Sequence, residues 1–397
     1  MRVALVHDWL TGMRGGERCL DLFCELFPHA TIFTLLHVPG TLSDRIEHMR
    51  IERSGLGRLP GISRYYRSLL PVFPWLIERF DLAGYNLILS SSHCVAKGVR
   101  VPPGALHIAY VYTPMRYVWD LYADYFGPGR AGWLSRIAMA LLCPPLRRWD
   151  QRSAARVDHF VAISRHVADR VKRHYGRDAS VIYPPVDAGR FQVGEGSGEF
   201  YLVVSALAPY KRVDLAIQAC NVLRRPLRIV GSGQDERKLR ALAGPTVEFL
   251  GWRSDAEVAD LYRRCRALLF PGVEDFGITP LEAMASGRPV VAYARGGALE
   301  TVVPLNPPPS DGAGPDGRPN GGEGRASGPT GVFFHHQTVE ALIGGIQLLE
   351  ASDGCFAPKV LRDRALAFDR QVFKGKIAAF VAERWTEHVK RTGESEC

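Results

Sequence analysis

Glu274 and Glu282 stand eight positions apart in Pro271-Gly-Val-Glu-Asp-Phe-Gly-Ile-Thr-Pro-Leu-Glu-Ala-Met-Ala-Ser-Gly-Arg-Pro289. Paired carboxylates suit a hydroxyl-rich ligand, because each accepts hydrogen bonds from two neighbouring sugar hydroxyls. Glu274 lies in a glycine-flanked loop, where an acid is either solvated or meets a polar ligand. Glu282 has a second reading: Thr279-Pro-Leu-Glu282 has the form of a helix capping box, with Pro280 at the first helical position. Gly287 and Pro289 then stop that helix.

Positive charge gathers in a second loop, Pro209-Tyr-Lys-Arg212, ahead of a helix expected over 213–223. Two cations at a helix start oppose its dipole, so they are either exposed at little cost or face a bound anion. Gly15-Gly16-Glu17 follows the first strand and opens a helix, where backbone N–H groups can approach an anion unless the glycines serve only a tight turn. Gly231-Ser-Gly233 and Arg295-Gly-Gly297 end strands and offer similar close approach. Glycines at 12, 15 and 16 do not make the G-x-G-x-x-G pattern, which argues against a nicotinamide dehydrogenase. His93, in Ser90-Ser-Ser-His-Cys94, is either a ligand contact or a loop histidine held by a structural bond. Tyr112 can donate a hydrogen bond to a sugar hydroxyl but cannot act as a cation.

These residues need rigid elements behind them. Strands are expected at 3–6, 87–89, 108–112, 160–163 and 181–183, with a helix over 17–27 and another after Ser164. Pro184-Pro-Val-Asp187 reads as a hinge. The pattern restarts with strands at 201–204, 227–230, 247–250, 267–270 and 290–293. Two successive βαβ arrays predict two doubly wound domains, residues 1–187 and 188–372, with small ligands bound in a cleft between them. An amphipathic helix over 373–390 ends the chain. Residues 304–329 are about half Gly and Pro and are expected to form a disordered surface loop.

A chain of 397 residues with 46% hydrophobic content suits two cores. Its eight cysteines show no zinc or C-x-x-C spacing, which predicts reduced thiols in a cytoplasmic protein. The start reads as a strand rather than a signal peptide, and no apolar run approaches a membrane span. The net charge of +9 is spread without a nucleic-acid module, so nucleic acid is not the expected partner. Arg64-Tyr-Tyr-Arg67 leads into the apolar stretch 69–77, and Gly132-Trp-Leu-Ser-Arg-Ile-Ala-Met-Ala-Leu-Leu142 into Arg147-Arg148-Trp149. Aromatics and Arg beside apolar stretches suit peripheral contact with an anionic membrane; ordinary core helices have the same look.

With Phe276-Gly277 and Glu282-Ala-Met-Ala-Ser-Gly-Arg-Pro-Val-Val291 around the two acids, the segment resembles the Glu-x7-Glu signature of the family 4 glycosyltransferases, retaining enzymes of the GT-B fold. The resemblance runs over nearly the whole chain. It implies an α/β architecture of two Rossmann-like domains facing a cleft, with the last helix crossing back onto the first. It places Glu274 by the donor sugar, Glu282 on the ribose and Lys211 on the diphosphate, where positive charge stabilises the departing group. Gly15, Gly16, Arg212, Gly231, Gly233, Phe276, Gly277 and Ile278 complete the implied donor site. Many members carry His where this chain has Tyr112, and Arg where it has Ala206. Glu274, Lys211, Tyr112 and His93 are therefore the candidate catalytic residues, with Arg212 or Arg295 making up positive charge. The resemblance implies no bound metal, and no Asp-x-Asp pair is present; the nucleotide sugar enters as substrate. Tyr112-Thr-Pro-Met-Arg-Tyr-Val-Trp-Asp120 and Ser205-Ala-Leu-Ala-Pro-Tyr-Lys-Arg212 look most like bacterial mannosyltransferases of polysaccharide assembly. GDP-mannose is then the first candidate donor and a lipid-linked saccharide the candidate acceptor, at the inner face of the cytoplasmic membrane. A non-catalytic nucleotide-sugar-binding subunit is the rival reading, motivated by Tyr112 and Ala206. An epimerase or phosphorylase of the same fold would lack this Glu-x7-Glu neighbourhood.

Overall fold

A computed structural model describes residues 1–120, 122, 126–127, 132–305 and 328–393. The chain divides into two compact units, one formed by Met1–Pro184 with Phe373–Cys397 and the other by Pro185–Val372.

In the first unit the strands are β1 (Val3–His7), β2 (Thr31–Thr34), β3 (Arg50–Arg53), β4 (Leu87–Ser92), β5 (Leu106–Val111), β6 (His159–Ala162) and β7 (Ala179–Val181). They form one sheet in the order β3-β2-β1-β4-β5-β6-β7, and every neighbouring pair is parallel. β1, β2, β4 and β5 are buried along their full lengths, as helix-covered parallel strands must be. The edge strand β3, Arg-Ile-Glu-Arg, is partly exposed, and its charges blunt an edge that would otherwise invite pairing. Neither β2 nor β3 was expected from sequence, because both are short and lack alternation. The strand expected at 181–183 ends at Val181 instead: the Ile182 carbonyl accepts from the Tyr110 hydroxyl at 3.0 Å, and Pro184 and Pro185 carry no N–H to extend a ladder.

Chain order departs from spatial order between β1 and β4, so the sheet has its switch point there. Helix α1 (Gly15–Leu26) follows β1. Helix α2 (Trp133–Ala154) connects toward β6. The last helix, Arg370–Thr392, changes unit at Phe373. From there it packs on the first unit: Phe373 meets Phe23 and Tyr110 with ring centroids 5.7 Å away in each case, and Lys374 pairs with Glu25. The expected return of this helix to the first domain is thus present.

The two Arg- and aromatic-bearing stretches separate on burial. In 69–77, Leu70, Phe73 and Ile77 belong to the core, which leaves Val72 and Trp75 facing out. In α2 the apolar residues Trp133, Leu134, Ile137 and Leu141 are all exposed.

The second unit holds β8 (Tyr201–Val204), β9 (Leu227–Val230), β10 (Val247–Gly251), β11 (Ala267–Phe270), β12 (Val290–Tyr293) and β13 (Gly331–Phe334). Their order is β10-β9-β8-β11-β12-β13, again parallel throughout, with a switch point between β8 and β11. Helix α3 (Val213–Leu223) follows the β8 loop, and α4 (Ile278–Ala285) follows the β11 loop. The expected loop at 304–329 lies mostly outside the described residues, at 306–327. Its two ends meet: the Val303 N–H donates to the Thr330 hydroxyl at 2.8 Å, and Leu305 donates to the Gly331 carbonyl at 2.8 Å. No helix among the described residues is long and apolar enough to cross a membrane.

Candidate active site

In open α/β sheets, ligands bind outside the carboxyl ends of strands at the switch point. In the second unit this point is flanked by the loops after β8 and β11. Lys211 ends a short 3-10 turn, Pro209–Lys211, and its Nζ lies 2.6 Å from Glu274 Oε1. Both side chains are mostly buried, at 14% and 24% exposure. Backbone packing fixes the pair: a Cβ on Gly272 would fall 2.9 Å from the Lys211 Cα. On the other side the Gly297 N–H donates to the Glu274 carbonyl at 2.8 Å, and a Cβ on Gly296 would fall 2.5 Å from that oxygen. The cation and the acid that sequence placed in separate loops therefore face each other across the switch point.

The helix carrying Glu282 begins earlier than the capping-box reading requires. α4 starts at Ile278, with Gly277 as its cap at φ 91°. Thr279 and Pro280 then lie inside the first turn, and Glu282 falls beyond the third helical position that a capping box needs. Its carboxylate instead accepts from the buried Tyr262 hydroxyl at 3.0 Å. Burial, followed by the charge of Glu282, pushes the Tyr262 phenol well above its ordinary range, so it stays a neutral donor. Its cap residue Gly277 has no side chain to bond the first-turn N–H groups, and such groups at a helix start suit an anion. The Phe276 ring is buried, 5.8 Å from that of Phe368.

Four other candidates, Arg212, Gly231, Gly233 and Arg295, have well-defined surroundings. Arg212 holds a left-handed backbone at the start of α3, and its guanidinium pairs with Asp214 at 3.0 Å; this local pair offsets the charge expected to face an anion. A Cβ on Gly231 would fall 1.9 Å from the Ser205 carbonyl oxygen, and one on Gly233 would fall 2.3 Å from that of Leu207. These two glycines thus allow the β9 loop to lie against the β8 loop. Arg295 is exposed.

The first unit gathers its own polar group at the switch point between β1 and β4. Asp8, fully buried and missed in the sequence reading, accepts backbone N–H bonds from His93, Cys94, Val95 and Ala96 at 2.6–2.9 Å. His93 Nδ1 lies 3.1 Å from the same carboxylate, and its ring meets Trp9 edge-on at 4.5 Å. The structural bond is therefore present at His93. Burial pulls its pKa down, against the opposing charge of Asp8. Asp8 stood directly after a buried strand, which was the available signal.

Tyr112 lies just past β5. Its hydroxyl donates to the Gly16 carbonyl at 2.9 Å and contacts Ser91 Oγ at 2.8 Å. Both polar capacities of that hydroxyl are thus engaged within the protein, contrary to the expected sugar contact. Burial raises its pKa well above the ordinary range, so it remains neutral. Ser91 also meets His7 Nδ1 at 3.0 Å, and His7 Nε2 lies 3.9 Å from Glu17 Oε1. Burial pushes the Glu17 carboxyl up, but its favourable polar and charge interactions, those with His7 first among them, outweigh it and the net pKa is lowered. His7 and Glu17 were not singled out by sequence. Gly15 and Gly16 occupy the first helical turn of α1. A Cβ on Gly16 would meet His7 and Tyr112 at an ordinary 3.5 Å, so internal packing does not demand glycine there. Among the described residues, no cluster of three His, Cys, Asp or Glu could hold a metal ion.

Residues 187–311 match the family described as glycosyl transferases group 1. An uncharacterized glycosyltransferase of Methanocaldococcus jannaschii is 30% identical over 151 residues, 37% of this chain and 43% of the relative. The O-antigen chain mannosyltransferase RfbU of Salmonella typhimurium is 29% identical over 151 residues, 35% of this chain and 43% of the relative. In both cases the match spans less than half of the relative's length. Among solved structures, Anabaena HepE in complex with UDP superposes with a TM-score of 0.65 at 16% identity, covering 96% of this chain and 100% of HepE. That likeness shows the fold, which is GT-B.

Proposed function

We propose that this protein is a retaining glycosyltransferase that moves a hexose from a nucleotide sugar to a hydroxyl of a saccharide acceptor. The observation that carries the reading is the Lys211–Glu274 pair at the switch point, with the glycine-capped start of α4 following in the chain. Without ligand the two side chains neutralise each other. A bound donor diphosphate takes over Lys211 and the α4 N–H groups, which frees Glu274 to accept from sugar hydroxyls. Glu282, oriented by Tyr262, holds the ribose. In the transfer the bond from the anomeric carbon to the diphosphate oxygen breaks and one to the acceptor oxygen forms. The acceptor proton passes to the leaving diphosphate, whose growing charge Lys211 stabilises.

The donor we favour is GDP-mannose, with a lipid-linked saccharide of polysaccharide assembly as acceptor. The resemblance to mannosyltransferases and the relative RfbU support mannose; HepE, solved with UDP, keeps the base a question for experiment. Lys211→Ala and Glu282→Ala should each abolish nucleotide binding or transfer, whereas Glu274→Ala should lower turnover more than nucleotide affinity. Full activity in either of the first two variants would sink these assignments.

The engaged Tyr112 hydroxyl favours one rival, a nucleotide-sugar-binding subunit without turnover. It would bind the nucleotide with Lys211 and show no transfer to any acceptor.

A further inference from the structure

Helix α2 presents a face that the transfer reading does not use. Trp133, Leu134, Ile137 and Leu141 are 68%, 65%, 52% and 73% exposed. At 100° per residue they fall within about a third of the helix circumference. Contiguous exposed apolar surface of this kind is uncommon on a protein with no partner for it. The opposite side of the helix is anchored: Cys143 and Leu146 are buried in the core, with Met139, Leu142 and Trp149 packed against it.

Charge selects the partner. Arg148 and Arg152 continue the same stripe toward the C-terminal half and are exposed, and Arg136 flanks it. The helix carries a single acid, Asp150. It is fully buried, its Oδ1 2.8 Å from the Lys97 ammonium, so it does not offset the exposed arginines. Apolar side chains ending in Trp, bordered by cations and free of exposed carboxylates, match the boundary between acyl chains and anionic headgroups. A protein partner's interface would not require the face to lack acids throughout.

We infer that α2 is an interfacial anchor: its N-terminal half seats Trp133, Leu134, Ile137 and Leu141 in an anionic lipid surface while Arg136, Arg148 and Arg152 lie at the phosphates. The inference is independent of the transfer chemistry, and its test has no catalytic readout.

The full chain is floated with vesicles of phosphatidylcholine alone and of phosphatidylcholine with phosphatidylglycerol. The wild type should co-float with the anionic vesicles at low salt and weaken as salt rises. Ile137→Glu with Leu141→Glu should weaken binding by about tenfold or more with an unchanged melting temperature, since both side chains are already exposed. Arg148→Gln and Arg152→Gln should each cost about fivefold on anionic vesicles. The inference is overturned if the wild type stays with the soluble fraction, or if the double glutamate variant floats as well as the wild type. It is equally overturned if light scattering shows a dimer that the glutamates dissolve while flotation is unchanged; the stripe would then serve a second copy of this chain.

Discussion

At the scale of single residues, a polar group is best understood by what its neighbours leave it free to do. Gly16 is the sharpest case. Glycine in a helical turn costs about 1 kcal/mol relative to alanine, and packing inside this chain does not require it. A ligand that must approach the backbone closely would. Gly16→Ala should therefore leave the melting temperature unchanged or slightly raised while transfer falls by roughly tenfold or more. A variant with full transfer would assign Gly16 to the turn alone. Gly231 and Gly233 make the contrast, because there an added Cβ strikes carbonyl oxygens. The same reasoning separates what could be read from residue order. Glu274, Glu282 and Lys211 stand out as candidates because spacing and neighbours are properties of sequence. The pairing of Lys211 with Glu274 was not, since it depends on β8 and β11 becoming neighbours. Arg212 misled because a cation two positions from an acid can close a local pair before it meets any ligand. Asp8 was hidden for a different reason: its four backbone donors come from a loop more than eighty positions away.

At the scale of elements, β4 ends in three buried serines that need partners. Ser90 finds one in His107 Nε2, on β5, at 2.8 Å, and His107 Nδ1 lies 3.2 Å from the Arg156 carbonyl. Burial lowers the His107 pKa to about 4, so the folded state prefers the neutral ring. The unfolded chain takes up a proton near the ordinary 6.5 while the folded one does not. Stability from this group is thus complete above the unfolded value and is lost as pH falls toward about 4, by roughly 3 kcal/mol across the interval. Urea titrations at pH 7 and pH 4.5 should show a steeper loss in the wild type than in His107→Gln. Equal losses would mean that this histidine does not govern the acid limb. The segment 306–327 offers a second prediction at this scale. Because Val303 and Thr330 are hydrogen-bonded to each other, replacing that segment with a few Gly and Ser residues should keep the melting temperature within a few degrees and leave nucleotide binding intact. A large fall in either would give the segment a structural or binding role.

At the scale of the whole molecule, the alternation of strand and helix made two doubly wound units readable, because fully buried parallel strands are continuous apolar runs. The short strands β2 and β3 escaped, and so did the start of α4, where the left-handed Gly277 outweighed the capping signal at Thr279. Which half of an apolar helix faces the core was also beyond sequence. The stretches 69–77 and 132–142 look alike in composition, yet only the second keeps most of its apolar side chains exposed. The GT-B fold and the Lys211–Glu274 pair are the grounds for the nucleotide site proposed in the second unit. Its most direct test is a thermal-shift panel of GDP, UDP, ADP and their sugar conjugates on the wild type and on Lys211→Ala. Saturating ligand at about a hundred times its Kd should stabilise the wild type by roughly 2.7 kcal/mol. We predict that GDP and GDP-mannose do so selectively, and that Lys211→Ala loses the effect. Stabilisation by UDP conjugates instead would retain the transferase and discard mannose. No response to any nucleotide, or an equal response in Lys211→Ala, would contradict the claim.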